Sequence, residues 1–284
     1  MKIISATVAW VVCVLLLPAK AQELEVNGVT ITDLSIRFYQ INPPTNDGVT
    51  FCVAETEVTN WQYRTYLVET GRSKGDEESF RESKVAPQAP ALTRVVVGNS
   101  ALLWKGNQYP EGRGLCPVVL IAPSEAEMFC RWLSKKYVLL GEFRLPTEAE
   151  WLLAAYGDNR KYPWGDDMVE RAFQKAGNRV LGTHDVKKFS NGKTSQGIYG
   201  MWRNVSELTA TLKDEDDSWA AIPAWMGGSY RDKDNVPRQN YWGFAHQREY
   251  KADDIGFRIF FFPKKRKCNH APTNGVGVPT HLKK

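Results

Sequence analysis

Residues 143–151, read as FRLPTEAEW, constrain the fold more than any other stretch because they join a fixed turn to a capped helix. Pro146 restricts the backbone at the entry. Thr147 and Glu150 form the S/T-x-x-E pattern, in which two side chains satisfy the first free amides of a helix. Apolar residues continue the pattern to Gly157, a usual C-terminal stop. The segment therefore predicts one short, well-defined helix.

Two more helices are predicted by the same kind of start signal. Thr59 with Gln62 forms a capping box, and aromatic and apolar residues follow at helical spacing as far as Gly71. Ser124 with Glu127 forms another, ahead of a stripe of apolar residues. We expect these helices to be connected by loops rather than by long regular elements.

Strand signals are short and cover residues 50–54, 94–97 and 259–262. Long stretches rich in Gly, Pro, Asn, Asp and Trp lie between them, which indicates a core built partly from aromatic residues of loops. Because the neighbours of Trp151 are apolar, we expect this side chain to be buried against the helix that carries residues 129–133.

Several further segments occur in a fixed order along the chain: residues 57–63 (EVTNWQY), 117–133, 162–166 (YPWGD), 197–207 (GIYGMWRNVSE), 227–230 (GGSY) and 255–258 (IGFR). With residues 143–151 they resemble the ordered motifs of the formylglycine-generating (sulfatase-modifying-factor) domain family, and the chain is identified as a member. The resemblance implies an α+β, C-type-lectin-like fold with little regular secondary structure.

The N-terminus has the pattern of a secretory signal peptide, with Lys2, an apolar run over residues 3–17 and an A-x-A site that ends at Ala21. The run is shorter than the ~20 residues of a membrane-spanning helix. We therefore expect a secreted or periplasmic protein without a membrane span. The predicted organisation is a signal peptide (1–21), an N-terminal segment (22–48), the family domain (49–262) and a basic tail (263–284).

Four of the five cysteines follow the predicted cleavage site: Cys52, Cys116, Cys130 and Cys268. An oxidising compartment permits disulfides, and three pairings are open. The alternative for Cys130 is a plain buried thiol. The net charge of +5 is modest, and much of it lies in the tail, so we expect a solvated basic tail and no nucleic-acid partner.

The resemblance also implies chemistry that this chain lacks in part. The best-studied members of the family hold copper with two thiolates that follow the G-G-S motif, since soft sulfur suits Cu(I). The matching positions here are Asp232 and Pro237, and no cysteine occurs between Cys130 and Cys268. We therefore do not expect copper or formylglycine-generating oxidase activity.

Two other metals remain open. A second branch of the family holds non-haem iron with three histidines; here the core offers only His184 and His246, which would need Asp232 or Asp185 as a third ligand. The resemblance also implies a Ca²⁺ site, carried by carbonyls and one carboxylate. Its positions in this chain are Gly200, Arg203, Val205 and Glu207. Glu207 is retained, but Gly200 supplies no side-chain oxygen and Arg203 adds a positive charge, so retained and lost calcium binding are both open.

The sequence thus favours a binding or assembly protein over an oxidase. Structural proteins of bacterial gliding and secretion machines resemble it in lacking the thiolates. The predicted partner is an extracytoplasmic protein, peptide or glycan, and the predicted groove lies over residues 227–248. The alternative is an oxidase with non-haem iron or an unusual cofactor that matures a secreted peptide or small molecule. The groove candidates are Tyr230, Arg231, Asp232, Trp242, His246 and Arg248.

Overall fold

The computed structural model describes residues 24–25, 28–43, 49–75, 77, 93–157, 159–174, 182–213, 222–232, 242–244 and 249–264. Within these ranges the chain forms three α-helices and twelve short β-strands, which confirms the predicted α+β class. The helices are α1 (Asn60–Thr70), α2 (Pro123–Lys136) and α3 (Glu148–Tyr156). The strands are β1 (Leu24–Glu25), β2 (Gly28–Ile31), β3 (Ile36–Ile41), β4 (Phe51–Ala54), β5 (Thr93–Val96), β6 (Gly141–Arg144), β7 (Ser206–Lys213), β8 (Ile222–Met226), β9 (Trp242–Phe244), β10 (Glu249–Ala252), β11 (Ile255–Gly256) and β12 (Phe260–Pro263).

The largest sheet is antiparallel, with strand order β1-β2-β3-β4-β12-β6. Strand β12 joins its two halves, because Phe260 lies opposite both Val53 of β4 and Arg144 of β6. The motifs predict that the family domain begins at residue 49. In the structure, β1, β2 and β3 precede that residue and belong to the same sheet as β4.

Helices α1 and α3 begin as predicted. The Thr59 hydroxyl accepts from the Gln62 amide, and the Thr147 hydroxyl accepts from the Glu150 amide. Both helices are followed by a glycine with positive φ, Gly71 and Gly157.

The predicted start of α2 is wrong by two residues, because the helix is capped at Ala122 and not at Ser124. The helix begins at Pro123, which suits the first helical position because it lacks an amide to satisfy. Glu125 accepts from the Ala122 amide at 2.8 Å, so only one half of a capping box is present. Ser124 instead donates its hydroxyl to Glu249 of β10 at 2.7 Å.

The core divides into clusters, and this corrects the prediction for Trp151. The side chain is buried as expected, but it packs with Met201, Met226 and Phe260, whereas Phe129 and Leu133 belong to a separate, larger cluster. The reason is that α3 contacts β7 and β8. There the Trp151 indole N–H donates to Glu207 at 2.7 Å.

A second sheet, with order β11-β7-β8-β9, brings the family motifs together. Strand β11 pairs in parallel with the start of β7, so that Ile255 lies opposite Ser206 and Gly256 lies opposite Glu207. Strands β5 and β10 form a separate parallel pair. The segments around residues 57, 200, 230 and 255 therefore meet in one region.

Three cysteines are free and buried: Cys52, Cys116 and Cys130. Burial raises the pKa of the Cys52 thiol to about 11 and that of Cys130 well above its ordinary value. The alternative of a plain buried thiol therefore holds for Cys130, and these three cysteines form no disulfide with one another. Cys268 and the predicted signal peptide lie outside the described residues. In the part of the chain that the structure describes, no helix has the length and apolarity to cross a membrane.

Candidate functional site

The centre of the molecule holds an ion cluster that we define as Glu57, Glu207 and Arg258, all completely buried. The Arg258 Nε donates to both oxygens of Glu207, at 3.1 and 3.0 Å, and its Nη2 donates to Oε1 at 2.6 Å. The remaining donors of Arg258 reach the carbonyls of Ala54 and Tyr199. Because its charge and donors are matched, this guanidinium is compatible with a water-free core.

Glu57 is the weakly matched member of the cluster. Its Oε1 accepts from the Asn204 amide group at 3.0 Å, but its Oε2 has no hydrogen-bond partner and lies 3.9 Å from Arg258 Nη2. Burial raises the pKa of Glu57 to about 7; Arg258 opposes this rise and the neighbouring Glu207 adds to it. Glu57 therefore titrates near neutral pH inside the core.

The segment over the cluster has an unusual backbone. Arg203 and Asn204 both have positive φ, 68° and 65°, and Asn204 is held by donating to Glu57 and accepting from the His184 amide at 2.9 Å. Gly200 also has positive φ, and a Cβ there would lie 2.5 Å from a Glu57 oxygen. The Glu57 carboxylate thus fills the space beside Gly200.

This geometry does not fit calcium at the positions that the resemblance implies, Gly200, Arg203, Val205 and Glu207. Both oxygens of Glu207 accept from Arg258 or Trp151, and the Arg203 guanidinium is buried, 5.8 Å from the Phe173 ring centre. A hard cation needs several open oxygen ligands. In the described ranges no group of three His, Cys, Asp or Glu side chains is placed to hold a metal.

A second constellation is the 227–232 loop, which begins with the G-G-S motif. Arg231 forms an ion pair with the completely buried Asp253 and lies 4.0 Å from Asp254. Asp253 also accepts from the amides of Gly98 and Asn99, at 2.7 and 2.6 Å. These bonds fix the loop against the turn between β10 and β11.

Ser229 closes the base of this loop. Its hydroxyl donates to Asp254 at 2.8 Å and accepts from the Arg231 amide, while its own amide donates to Asp232. Burial raises the pKa of Asp254, with Arg231 opposing the rise. A hydroxyl is activated as a nucleophile only when a neighbouring base can take its proton and substrate can reach it. Ser229 is only 2 % exposed, however, so the pair serves to position the loop.

The predicted groove residues fall in four groups. Tyr230 is buried, and burial raises the pKa of its hydroxyl to about 12. Arg231 and Asp232 are partly exposed and take part in the loop bonds above. The backbone of Trp242 forms part of β9 and lies opposite Met226 of β8. His246 and Arg248 lie outside the described residues. The groove stays a prediction, and Arg231 and Asp232 are its members that the structure describes as partly exposed.

The metal alternatives can be placed in part. Asp232, at the position of the first thiolate, accepts from Ser229 at the loop base; Pro237 lies outside the described residues. The His184 ring contacts the Asp185 carbonyl at 2.8 Å, and burial lowers the pKa of His184 to about 4. Since His246 is not described, the iron set with His184, His246 and Asp185 or Asp232 stays a prediction.

Sequence reasoning missed Glu57, Asp253 and Asp254 as members of these constellations. Asp253 and Asp254 form an acidic pair directly before the I-G-F-R segment, and such pairs usually indicate turn chemistry. Glu57 opens the first motif, and a glutamate there is usually exposed. Only its contact with Arg258, two hundred residues along the chain, reveals its burial.

Known proteins share both the sequence pattern and the fold. Residues 34–261 match the family described as "Sulfatase-modifying factor enzyme 1-like domain". The formylglycine-generating enzyme of Thermomonospora curvata is 29 % identical over 204 residues, which cover 60 % of this chain and 61 % of that protein. The inactive C-alpha-formylglycine-generating enzyme 2 of Bos taurus is 27 % identical over 50 % of this chain and 49 % of that protein.

This chain therefore spans about three fifths and one half of these two relatives. Among solved structures, that of CarF has a TM-score of 0.56 at 20 % identity and covers 76 % of this chain and 87 % of that one. That likeness supports the fold. The family match covers most of the chain, with the motif residues meeting around one buried ion cluster. The chain therefore belongs to the sulfatase-modifying factor enzyme 1-like domain family.

Proposed function

We propose that this protein is a binding or assembly member of the family without the copper oxidase chemistry. The observation that carries the proposal is the state of the 227–232 loop. At the position of the first thiolate, Asp232 accepts a hydrogen bond at the loop base, and the described cysteines are buried at other places. Soft thiolate ligands are therefore replaced by a hard carboxylate that is already in use.

The same loop supports a role in recognition. Asp253 and the neighbouring Asp254 hold Arg231 in one place, and 31 % of the Arg231 side chain stays exposed. A side chain that is held before its partner arrives loses less conformational entropy on binding. The proposed ligand is a peptide, a glycan or a protein with a carboxylate or hydroxyl group for Arg231, and Trp242 of β9 is the proposed stacking partner.

The proposed location is outside the cytoplasm, secreted or periplasmic. It is supported by the charged, apolar and A-x-A pattern of residues 1–21. N-terminal sequencing of protein from the native host is expected to begin at Gln22. A mature chain that begins at Met1 would contradict the proposal.

Copper analysis tests the chemical half of the proposal. We expect purified protein, after washing with a chelator that competes with thiolates, to retain no stoichiometric copper and to form no aldehyde on a C-x-P-x-R peptide. Stoichiometric copper or an aldehyde product would show an oxidase. Iron that co-purifies in stoichiometric amount and is lost in His246→Ala would favour the iron alternative instead.

Partner capture tests the recognition half. Wild type and the double variant Arg231→Ala/Trp242→Ala are used as baits in extracellular extract. The matched control is Arg171→Ala/Trp61→Ala, which removes the same residue types at exposed sites. We expect the first double variant to lose a partner that wild type and control retain. Identical partner sets for all three proteins would place the function elsewhere.

A further inference from the structure

A groove of about 400 Å³ lies between α1 and α2, on residues that neither the ion cluster nor the 227–232 loop uses. Tyr66, Met128 and Trp132 form its apolar part. The rings of Tyr66 and Trp132 lie 5.3 Å apart at a tilt of 52°, and Trp132 makes a similar contact with the buried Phe129. Packing against the core therefore fixes the position of Trp132.

The rim of this groove is cationic. Arg72, at the end of α1, faces Arg131 and Lys135 of α2, and none of the residues that line the groove is acidic. Arg131 and Lys135 are four positions apart, so their Cβ atoms lie about 6 Å from each other on one face of the helix. Arg72 is held from the other side, because its carbonyl accepts from the Asn107 side chain at 2.8 Å.

Nearby carboxylates compensate this charge little. Glu69 accepts from Lys136 at 2.8 Å, and Asp33 lies 3.1 Å from the same nitrogen, so both are engaged by a cation that does not line the groove. Glu127 meets Arg131 only at 3.5 Å, with both side chains more than half exposed. An exposed pair of that length exchanges readily for a ligand anion.

We propose that this groove binds an anionic polysaccharide through carboxylate or sulfate groups. Three cations around a partly apolar cleft raise the local concentration of anions, and guanidinium groups match planar or tetrahedral oxyanions. Lys136 Nζ lies over one face of the Trp132 ring, 5.0 Å from its centre, so Tyr66, Met128 and the remaining surface of Trp132 offer the apolar contact for a sugar ring. The groove lies between helices, where the backbone groups bond within each helix, so a peptide would find no sheet edge on which to add as a strand.

Binding to defined polymers tests this proposal. We expect polygalacturonate and dextran sulfate to bind and to be released by salt, and uncharged dextran not to bind. Poly-L-glutamate is expected to bind at least about tenfold more weakly, because it carries carboxylates but no sugar ring for the aromatic residues. Comparing polygalacturonate with dextran sulfate distinguishes binding through carboxylates from binding through sulfates. Equal or tighter binding of poly-L-glutamate, or no binding of either charged polysaccharide, would overturn the proposal.

Matched variants locate the site. Arg72→Gln/Arg131→Gln/Lys135→Gln is expected to weaken binding by at least about tenfold, while Lys161→Gln/Arg171→Gln/Lys188→Gln, with the same change in net charge at exposed positions, should leave it within about twofold. Equal losses in both variants would show attraction by overall charge and overturn the groove. Arg231→Ala/Trp242→Ala should bind these polymers like wild type, which separates this surface from the loop.

Trp132 supplies a further readout that charge alone would not move. Trp132→Phe keeps an aromatic ring and is expected to retain most of the binding, whereas Trp132→Leu loses it at a thermal midpoint that shows a folded protein. If folded Trp132→Leu binds like wild type, sugar stacking is excluded. If that variant does not fold, Trp132→Phe and the charge variants decide.

Discussion

The ion cluster and the 227–232 loop use the same chemistry in two environments. In each, one arginine lies beside two carboxylates: Arg258 beside Glu207 and Glu57, and Arg231 beside Asp253 and Asp254. The first arginine is completely buried, while nearly a third of the Arg231 side chain reaches solvent. The cluster consists of motif residues, whereas the loop contains Asp232, where the chain departs from the family.

The comparison shows that the burial of an arginine–carboxylate pair decides how much the fold depends on it. Removing the carboxylates would leave a buried arginine without a counter-ion, and removing the arginine would leave buried carboxylates without one. Either change exposes a charge to the water-free core, so we expect the cluster to stay intact for the chain to fold. In the loop, water reaches Arg231, and the buried Asp253 keeps two backbone amide donors when Arg231 is replaced, so a change of Arg231 costs less than a change of Arg258. We expect function to vary at the loop and the fold to depend on the cluster.

The largest expected effect separates the two regions directly. Arg258→Ala leaves Glu207 and Glu57 buried without their counter-ion and is expected to lower the free energy of unfolding by about 3–5 kcal/mol. Chemical denaturation measures the loss. Arg144→Ala is the matched control: it breaks the partly exposed ion pair with Glu150 and should cost about 1 kcal/mol. Equal costs for the two variants would break the comparison.

Trp151 tests the apolar side of the cluster. Trp151→Ala removes a buried ring and the donor to Glu207, and we expect a loss of about 3–5 kcal/mol, as for other large core truncations. Trp151→Phe keeps most of the volume and removes only the N–H, so about 1–3 kcal/mol is expected. Thermal and denaturant unfolding measure both. A midpoint unchanged in Trp151→Ala would contradict the observed packing.

Glu57 gives the cluster a pH dependence. Its pKa is raised from 4.5 to about 7 on folding, mainly by burial. Between these values the native state holds a proton that the unfolded chain has released, so the contribution of Glu57 to stability is highest below pH 4.5 and falls as pH rises to 7. Glu57→Gln should remove roughly 1–3 kcal/mol of this fall.

The control for this pH profile is Glu150→Gln. Although burial opposes it, hydrogen bonds from Arg144 and Thr147 lower the pKa of Glu150. Its contribution to stability is therefore present above the unfolded pKa and lost as pH falls, the opposite sign. Urea titrations from pH 4 to pH 8 compare the two variants with wild type. Parallel curves for Glu57→Gln and wild type would show that Glu57 does not titrate in this window.

Arg231→Ala is expected to have a smaller effect on stability than Arg258→Ala. Asp253 keeps two backbone amides when Arg231 is removed, so about 1–2 kcal/mol is lost. Hydrogen exchange should report faster exchange at the amides of residues 229–232 and little change around Glu207. A loss as large as that of Arg258→Ala would make the loop part of the folding core.

Calcium is expected to have the smallest effect. Because Glu207 is engaged by Arg258 and Trp151, millimolar Ca²⁺ or a chelator should leave the thermal midpoint unchanged, since only a ligand that binds the native state raises it. Calcium titration followed by calorimetry is the measurement. A rise of the midpoint with calcium that Glu207→Gln abolishes would show a site at these positions.

Local signals predicted the ends of α1 and α3 and the strand around Phe260 because capping boxes, glycine stops and short apolar runs act over a few residues. They misplaced the start of α2, where Pro123 and Ser124 both suit a helix entry. Ser124 donates instead to Glu249, far along the chain, a contact that no local pattern contains.

The sequence by itself determined the family, the α+β class and the replacement of the thiolate pair, since these depend on residue identity and order. The tertiary structure decided that Trp151 packs on β7 and β8, that Glu57 lies buried beside Arg258, and that Asp253 holds Arg231. Each of these findings depends on burial and on contacts between distant parts of the chain. Such burial and such contacts arise only when the sheets bring those parts together.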